Sequence, residues 1–146
     1  MKTTRLILLL AALAGLCAVA RADSANIRGI LISASNESGE TDRRLAQYEP
    51  TLRRILRFEG YRFLGDDNTS LEVPAQGSLS LGNGHELEVS TEKSDGKSIQ
   101  VKVRWSAGGR TLMNTGLVLR PGVPAVLGGP STGTKGEVYA VILVGR

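Results

Sequence analysis

Apolar residues along the chain fall into short segments, and two of these are apolar at nearly every position. Residues 26–35 (NIRGILISAS) and 137–145 (EVYAVILVG) are rich in Ile and Val and show no helical period. A strand that is apolar on both faces is typical of the interior of a sheet that is covered on both sides. The pattern therefore predicts that these two segments form the central strands of the fold.

One segment, residues 42–58 (DRRLAQYEPTLRRILRF), has the period of an amphipathic helix, and Thr41 or Asp42 is suited to cap its N-terminus. The apolar stripe comprises Leu45, Tyr48, Leu52, Ile55 and Leu56. Pro50 lacks the backbone N–H that a helix interior needs. Either the helix is kinked, or a short turn ends near Tyr48 and a second helix carries Pro50 in its first turn. We favour one bent helix.

From Gly60 onward the pattern changes to strands and turns, and residues 99–105 alternate between apolar and polar side chains. Turns are predicted at Asp66–Asn68, Gly82–Gly84, Asp95–Gly96, Ala107–Arg110 and Pro121–Gly122. The sequence therefore predicts an α+β domain. We expect a mainly antiparallel sheet or sandwich of about 8–9 strands, with one amphipathic helix packed on a face.

The first 22 residues have the layout of a signal peptide. Lys2 and Arg5 precede an apolar run from Leu6 to Leu16, and small residues follow at the spacing of a cleavage site. We expect residues 1–22 to be removed and residues 23–146 to form a single periplasmic or secreted domain with no transmembrane anchor. Cys17 is the only cysteine and would leave with the signal peptide, so the domain would fold without disulfides.

Removal of the signal peptide also changes the charge of the protein. The whole chain has 18 Lys and Arg residues against 14 Asp and Glu, and Lys2, Arg5 and Arg21 lie in the first 22 residues. The domain would then be almost neutral. Binding to nucleic acid needs a sustained basic surface, so we do not expect nucleic acid as a partner.

A basic face on the predicted helix is the sharpest candidate for a binding site. It comprises Arg43, Arg53, Arg54 and Arg57, which fall opposite the apolar stripe. Arginine forks could bind an envelope protein or an acidic polymer such as a polysaccharide. The alternative is a solvated helix face, since arginine is a good helix former.

The chain offers few groups for catalysis or metal binding. His85 is the only histidine, and its position directly after a turn is typical of a surface residue. Asp66–Asn68 could bind Ca²⁺, but the same triplet is favoured in turns. Glu86 and Glu88 lie on one side of a predicted strand and are expected to face water. We therefore expect neither a metal, nor a cofactor, nor an enzymatic activity.

The stretch 117–130 (LVLRPGVPAVLGGP) has three glycines and three prolines among apolar residues. A phosphate-binding loop places its glycines between a strand and a helix. Here the glycines lie between predicted strands, so they are interpreted as turns, with Gly128, Gly129 and Pro130 ending a strand.

About 30 residues at the C-terminus, NTGLVLRPGVPAVLGGP followed after a loop by VYAVILVGR, resemble the strand–Gly–strand–Gly-Gly element of bacterial secretins. Asn114, Gly122, Gly128 and Gly129 carry the likeness. The resemblance implies β-structure associated with the cell envelope. The overall layout is also similar to that of uncharacterised small exported bacterial proteins.

Together these observations favour an exported, non-enzymatic binding or accessory domain of the bacterial cell envelope, associated with a secretion or pilus assembly. Two alternatives stay open. One is a secreted inhibitor or effector. The other is a glycan-active enzyme that depends on carboxylates.

Overall fold

A computed structural model describes residues 24–37 and 39–146 of the chain. The predicted signal peptide lies outside the described residues. The described elements, in chain order, are β1 (Ser24–Ser35), a 3-10 helix (Arg43–Tyr48), α1 (Glu49–Ile55), β2 (Gly60–Glu72), β3 (Ala75–Gly82), β4 (His85–Ser94), β5 (Ile99–Ala107), β6 (Arg110–Leu119), β7 (Ala125–Ser131) and β8 (Glu137–Gly145).

The strands form two sheets of four. The first sheet has the order β2-β1-β8-β7, the second has the order β3-β4-β5-β6, and neighbouring strands pair antiparallel throughout. This confirms the predicted fold class. It also confirms the two central strands, because β1 and β8 lie side by side in the middle of the first sheet.

The first sheet is apolar on both faces because each face covers a separate core. Ile27 and Leu31 of β1 pack into a core between the two sheets, around the buried Trp105. Ile30 and Ile32, which alternate with them, pack into a second core beneath the helical segment. The result is three layers: helices, first sheet and second sheet.

The helical segment differs from the expected single bent helix. A 3-10 helix ends at Tyr48 and α1 begins at Glu49 with Pro50 in its first turn, where the missing N–H has no partner to lose. The change from about three to 3.6 residues per turn rotates the apolar stripe. Leu45 and Leu52 are buried as predicted, whereas Ile55 at the end of α1 is 47% exposed.

Asp42 caps the 3-10 helix as predicted. Its carboxylate accepts hydrogen bonds from the backbone N–H of Arg44, at 3.0 Å, and from the Arg44 guanidinium, at 2.7 Å. These bonds, the side-chain bond above all, lower the pKa of Asp42 to about 2. The Asp42 carboxylate is therefore ionised at neutral and at mildly acidic pH.

The turn predicted at Asp66–Asn68 is wrong, because β2 runs through it without a break. A register shift in β2, opposite Leu31 and Ile32 of β1, changes the direction in which the side chains after Gly65 point. Asp66 then forms an ion pair with Arg28, and the Asp67 carboxylate accepts a hydrogen bond from the backbone N–H of Ser80 on β3. Long-range partners therefore replace the local hydrogen bonds that favour a turn.

The interpretation of Gly128, Gly129 and Pro130 as the end of a strand is also wrong, because β7 continues to Ser131.

The other predicted turns are confirmed. Asn83 and Gly84 join β3 to β4 with positive φ angles of 54° and 76°, as the turn of a tight hairpin requires. Asp95 closes the β4–β5 turn by accepting hydrogen bonds from the backbone N–H groups of Lys97 and Ser98. Short-range chemistry alone determines these turns, which explains why the sequence was sufficient.

Tyr61 fastens the helices to the first sheet, and its removal gives a first prediction. The hydroxyl of this 2% exposed residue donates to the carbonyl oxygen of Leu52 at 3.0 Å and accepts from the N–H of Phe58 at 3.1 Å. Tyr61→Phe removes both hydrogen bonds and leaves the Phe58 N–H without a partner, whereas the Leu52 carbonyl oxygen still accepts from the N–H of Leu56. The free energy of unfolding should fall by about 2 kcal/mol. Urea denaturation would measure it. Tyr48→Phe is the control, and equal losses in the two variants would contradict the assignment.

Candidate functional site

The predicted basic face is divided between three local structures. Arg43 begins the 3-10 helix, whereas Arg53 and Arg54 lie in the last turn of α1. Arg57 follows the end of α1 with a positive φ of 60° and is exposed. The four arginines therefore do not follow one regular helical stripe, although all four are exposed.

Arg53 has a role within the domain. Its guanidinium donates to the Glu49 carboxylate at 3.0 Å and to the backbone carbonyl oxygen of Glu59 at 2.8 Å. A positive charge near the C-terminus of a helix is favourable because it faces the negative end of the helix dipole. Arg53 and Arg54 thus stabilise the end of α1, and recognition of an acidic partner by the four arginines stays a prediction.

His85 does not lie on the surface, contrary to expectation. It is 4% exposed because the first residue of β4 has the same inward orientation as Leu87 and Val89. Trp105 donates its indole N–H to the Nδ1 atom of His85 at 3.0 Å, and the Tyr139 ring centroid lies 4.4 Å from that of His85. Burial lowers the pKa of His85, so the imidazole is neutral at pH 7.

The carboxylates considered for catalysis are engaged in ion pairs or spread over the outer faces of the sheets. Glu88 accepts a hydrogen bond from Arg104 at 2.9 Å on the outer face of the second sheet, and Glu86 is exposed on that face. Asp66 and Asp67 are held by Arg28 and Ser80, as described above. Within residues 24–37 and 39–146, no group of three or more His, Cys, Asp or Glu side chains is placed to hold a metal ion.

The edges of the two sheets differ in how well they are protected. Where β2 and β3 meet, the edges cover each other, because Gly65 lies directly against the backbone carbonyl of Leu81 and Asp67 binds the N–H of Ser80. The chain at residues 40–42 also bonds to the backbone of Tyr61 at the start of β2. Neither edge presents a free row of backbone groups along its length.

On the opposite side, β7 and β6 are the edge strands. β7 is short, contains Pro130 and loses its regular register between Gly128 and Ser131, all of which are features that discourage the addition of a further strand. β6 pairs with β5 on one side. On its other side, residues 113–119 bond to no other strand within the described part of the chain.

The free edge of β6, residues 113–119 (MNTGLVL), has none of the usual protections. It contains no proline and no charged residue, and its one register shift lies before it, opposite Trp105 and Ser106. Asn114, Gly116 and Val118 are exposed, and Val118 is 51% exposed. Alternate residues of an edge strand direct their N–H and C=O groups outward, so this edge is a template for another strand.

The surroundings of the free edge are positively charged. From residue 96 to residue 136 the chain has six basic residues and no Asp or Glu. Lys102 and Arg104 pair with glutamates of β4, whereas Arg110 and Arg120 stand at the two ends of β6 and are exposed. The sequence alone did not reveal the free edge of β6, because the order of the strands decides which of them lie at an edge. The lack of acidic residues between residues 96 and 136 was the one signal of this site visible in the sequence.

Among the described residues, no helix combines the length and apolar character needed to cross a membrane.

No protein family matches the chain, and no curated protein matches it significantly. Among solved structures, the chain is similar to the T2SS secretin XcpQ from Pseudomonas aeruginosa, determined by cryo-EM, with 10% sequence identity and a TM-score of 0.36. The likeness covers 84% of this chain and 55% of the secretin chain. The resemblance to secretins that the sequence suggested thus has a weak structural counterpart, which does not establish a common fold.

Proposed function

We propose that this protein is an exported, non-catalytic binding domain of the bacterial cell envelope that takes up an extended, acidic segment of a partner protein at the free edge of β6. The observation that carries the proposal is the edge itself. Of the four edge strands, β6 alone presents a long and regular stretch with no covering segment, proline or charge among the described residues.

Strand addition suits this edge in length and chemistry. Residues 113–119 are as long as an ordinary strand, and the backbone groups supply most of the affinity in this mode of binding. Specificity comes from the side chains of the added strand. It would lie beside Asn114, Gly116 and Val118 on the outer face of the second sheet.

The charges select the partner. In an antiparallel pair of two β6 strands, Arg110 of each copy would lie opposite Arg120 of the other, and like charges directly opposite are destabilising. A segment with Asp or Glu at both ends would instead meet one arginine at each end. The partner class that fits is therefore an extended acidic segment, and a component of a secretion or pilus assembly is our candidate source.

A synthetic peptide tests this mode directly. The probe has the length of residues 110–120, a Thr-Val repeat and an Asp at each end, and its binding is measured by fluorescence anisotropy. We expect the unchanged domain to bind it and Val118→Glu to weaken binding at least about tenfold, because the new carboxylate repels the peptide beside the edge. Ile55→Glu adds the same group on α1, where 47% of the isoleucine is exposed, and should bind normally.

Charge reversal makes the test independent of folding. The double variant Arg110→Glu and Arg120→Glu should lose the acidic peptide and gain a matched peptide with Lys at each end. Failure of the unchanged domain to bind the acidic peptide, or equal effects of the Val118 and Ile55 variants, would overturn the proposal. A photo-crosslinker at position 118 in envelope extracts should then attach to an extended acidic segment of the natural partner.

A further inference from the structure

A concave site lies on the first sheet, away from β6. It is a cleft of about 400 Å³ on the outer face of the first sheet, beside the end of the 3-10 helix. The residues that matter for its chemistry are Asn26, Arg28, Gln47, Tyr48, Asp66 and Asn68. We call it the sheet cleft. Its volume lies in the range of small-molecule sites, which begins at roughly 300 Å³.

Strand register builds the floor of the sheet cleft. On β1, Arg28 lies between Asn68 of β2 and Val144 of β8, so these three residues form one row across the sheet. In the next row Asn26 lies beside Ser70 of β2, and its backbone exchanges two hydrogen bonds with that of Arg146. Farther along β1 the same face becomes apolar and is covered by the helices, so the polar rows begin where the helical cover ends.

The floor of the cleft contains an ion pair whose two charges are satisfied within the protein. Arg28 donates two hydrogen bonds to one carboxylate oxygen of Asp66, at 3.1 and 2.7 Å. Each of these two charges neutralises the other, and the exposed Arg146 is the remaining charged residue that lines the cleft. A ligand bound above the ion pair is recognised mainly by neutral groups.

The neutral groups are the side-chain amides of Asn26, Gln47 and Asn68. Each amide can donate and accept hydrogen bonds at the same time, as a sugar hydroxyl does. Within the described residues, the side-chain amides of these three residues make no hydrogen bond, and the hydrogen bonds of Asn26 and Asn68 are made by their backbone groups. The cleft therefore offers hydrogen-bond donors and acceptors that no described residue of the protein occupies.

Tyr48 forms the wall of the sheet cleft and gives a second, independent observation. The residue is 9% exposed and lines the cleft, yet no described residue makes a hydrogen bond to its hydroxyl. The hydroxyl is open to solvent, because Thr41 Oγ1 is the only buried side-chain oxygen or nitrogen without a partner among the described residues, so the Tyr48 hydroxyl is available to a ligand in the cleft. The Tyr48 ring and the side chain of Val144 also supply apolar surface, against which the C–H groups of a sugar ring can pack.

We propose that the sheet cleft binds a neutral saccharide, such as one or two sugar units of an envelope glycan. The amides and the Tyr48 hydroxyl bind sugar hydroxyls, and the Arg28–Asp66 pair supplies one further donor and acceptor. This site is independent of the β6 edge, because it lies on the other sheet and uses no residue of β6.

An array of neutral oligosaccharides, built from glucose, galactose, mannose or N-acetylglucosamine, tests the proposal. Polygalacturonate and polyphosphate serve as acidic probes. We expect binding to at least one neutral saccharide, with little dependence on salt. The double variant Asn26→Ala and Asn68→Ala should bind that saccharide about tenfold more weakly or worse, since two hydrogen bonds are lost. Tyr48→Phe should also weaken binding.

Gln47→Ala should weaken binding too, and Gln76→Ala is its matched control, because Gln76 is an exposed amide on the second sheet. Circular dichroism confirms that each variant is folded. The proposal is overturned if no neutral saccharide binds, if only the acidic polymers bind and salt abolishes it, or if the cleft variants bind like the control. Unchanged binding of the acidic peptide in the cleft variants would show that the two sites are separate.

Discussion

Gly129→Ala should lower the free energy of unfolding by about 3 kcal/mol, whereas Gly128→Ala should change it by less than about 0.5 kcal/mol. A Cβ atom on Gly129 would collide with the ring of Trp105 and come within 3.0 Å of the carbonyl oxygen of Tyr139. On Gly128 the same atom would meet Leu56 at 3.5 Å, which is an ordinary contact. Two adjacent glycines should therefore respond very differently to the same methyl group.

Urea denaturation followed by the fluorescence of Trp105, the only tryptophan, measures both effects. The ring belongs to the core between the sheets and is fully buried, so it cannot move aside without disturbing its neighbours. In urea denaturation followed by circular dichroism instead, Gly129→Ala should cost less stability in a Trp105→Phe background than in the unchanged protein, because the smaller ring leaves room for the methyl group. Equal stability of the two single variants would show that the strand adjusts at both positions.

The glycine pair also shows where sequence reasoning stops. The pattern around Gly128 and Gly129 indicated the end of a strand, but β7 continues through both residues to Ser131. Gly129 is needed for the close approach of Trp105, which lies 24 positions earlier in the chain. No local pattern contains that partner, so a turn was the natural interpretation.

Features set by neighbouring residues were predicted well. The continuous apolar runs placed β1 and β8 in the middle of a sheet, because only strands covered on both faces need such runs. The same holds for the hairpin turns at Asn83–Gly84 and Asp95–Gly96, where side-chain and backbone preferences act within four residues.

Features set by distant residues were not predicted. The continuation of β2 through Asp66 and the free edge of β6 each depend on which strands become neighbours. The burial of His85 follows instead from its alternation with Leu87 and Val89, although its place next to a turn suggested the surface. The predicted arginine face was suggested by a regular helical spacing in the sequence. In the structure, the change from 3-10 helix to α-helix at Glu49 interrupts that spacing. Candidate sites made from several strands therefore became visible only with the fold.

Acid should destabilise the domain below pH 6.5, and His85 should be the cause. Its imidazole is neutral and buried, and Nδ1 accepts the indole N–H of Trp105. A proton on Nδ1 would remove this acceptor and place a charge beside the Tyr139 ring. Desolvation therefore lowers the pKa of His85 in the folded state below its ordinary value of 6.5.

The direction of the pH effect follows from proton binding. Between the pKa of the unfolded chain, near 6.5, and the lower pKa of the folded protein, the unfolded state binds more protons. The stabilisation is thus complete above pH 6.5 and is lost as the pH falls, by at most about 1.4 kcal/mol for each pH unit. Since His85 is the only histidine, no other side chain has an ordinary pKa in this range.

His85→Gln isolates the effect. The amide oxygen of glutamine can still accept the Trp105 N–H, but the side chain does not titrate, so the free energy of unfolding should be flat between pH 7 and pH 5. Below that range both proteins should lose stability together, as carboxylates with lowered pKa values such as Asp42 and Asp95 take up protons. Urea denaturation at half-unit pH steps gives the comparison. A parallel decline of the two proteins above pH 5 would mean that His85 keeps its ordinary pKa when folded, and that the Trp105–His85 bond contributes nothing to acid sensitivity.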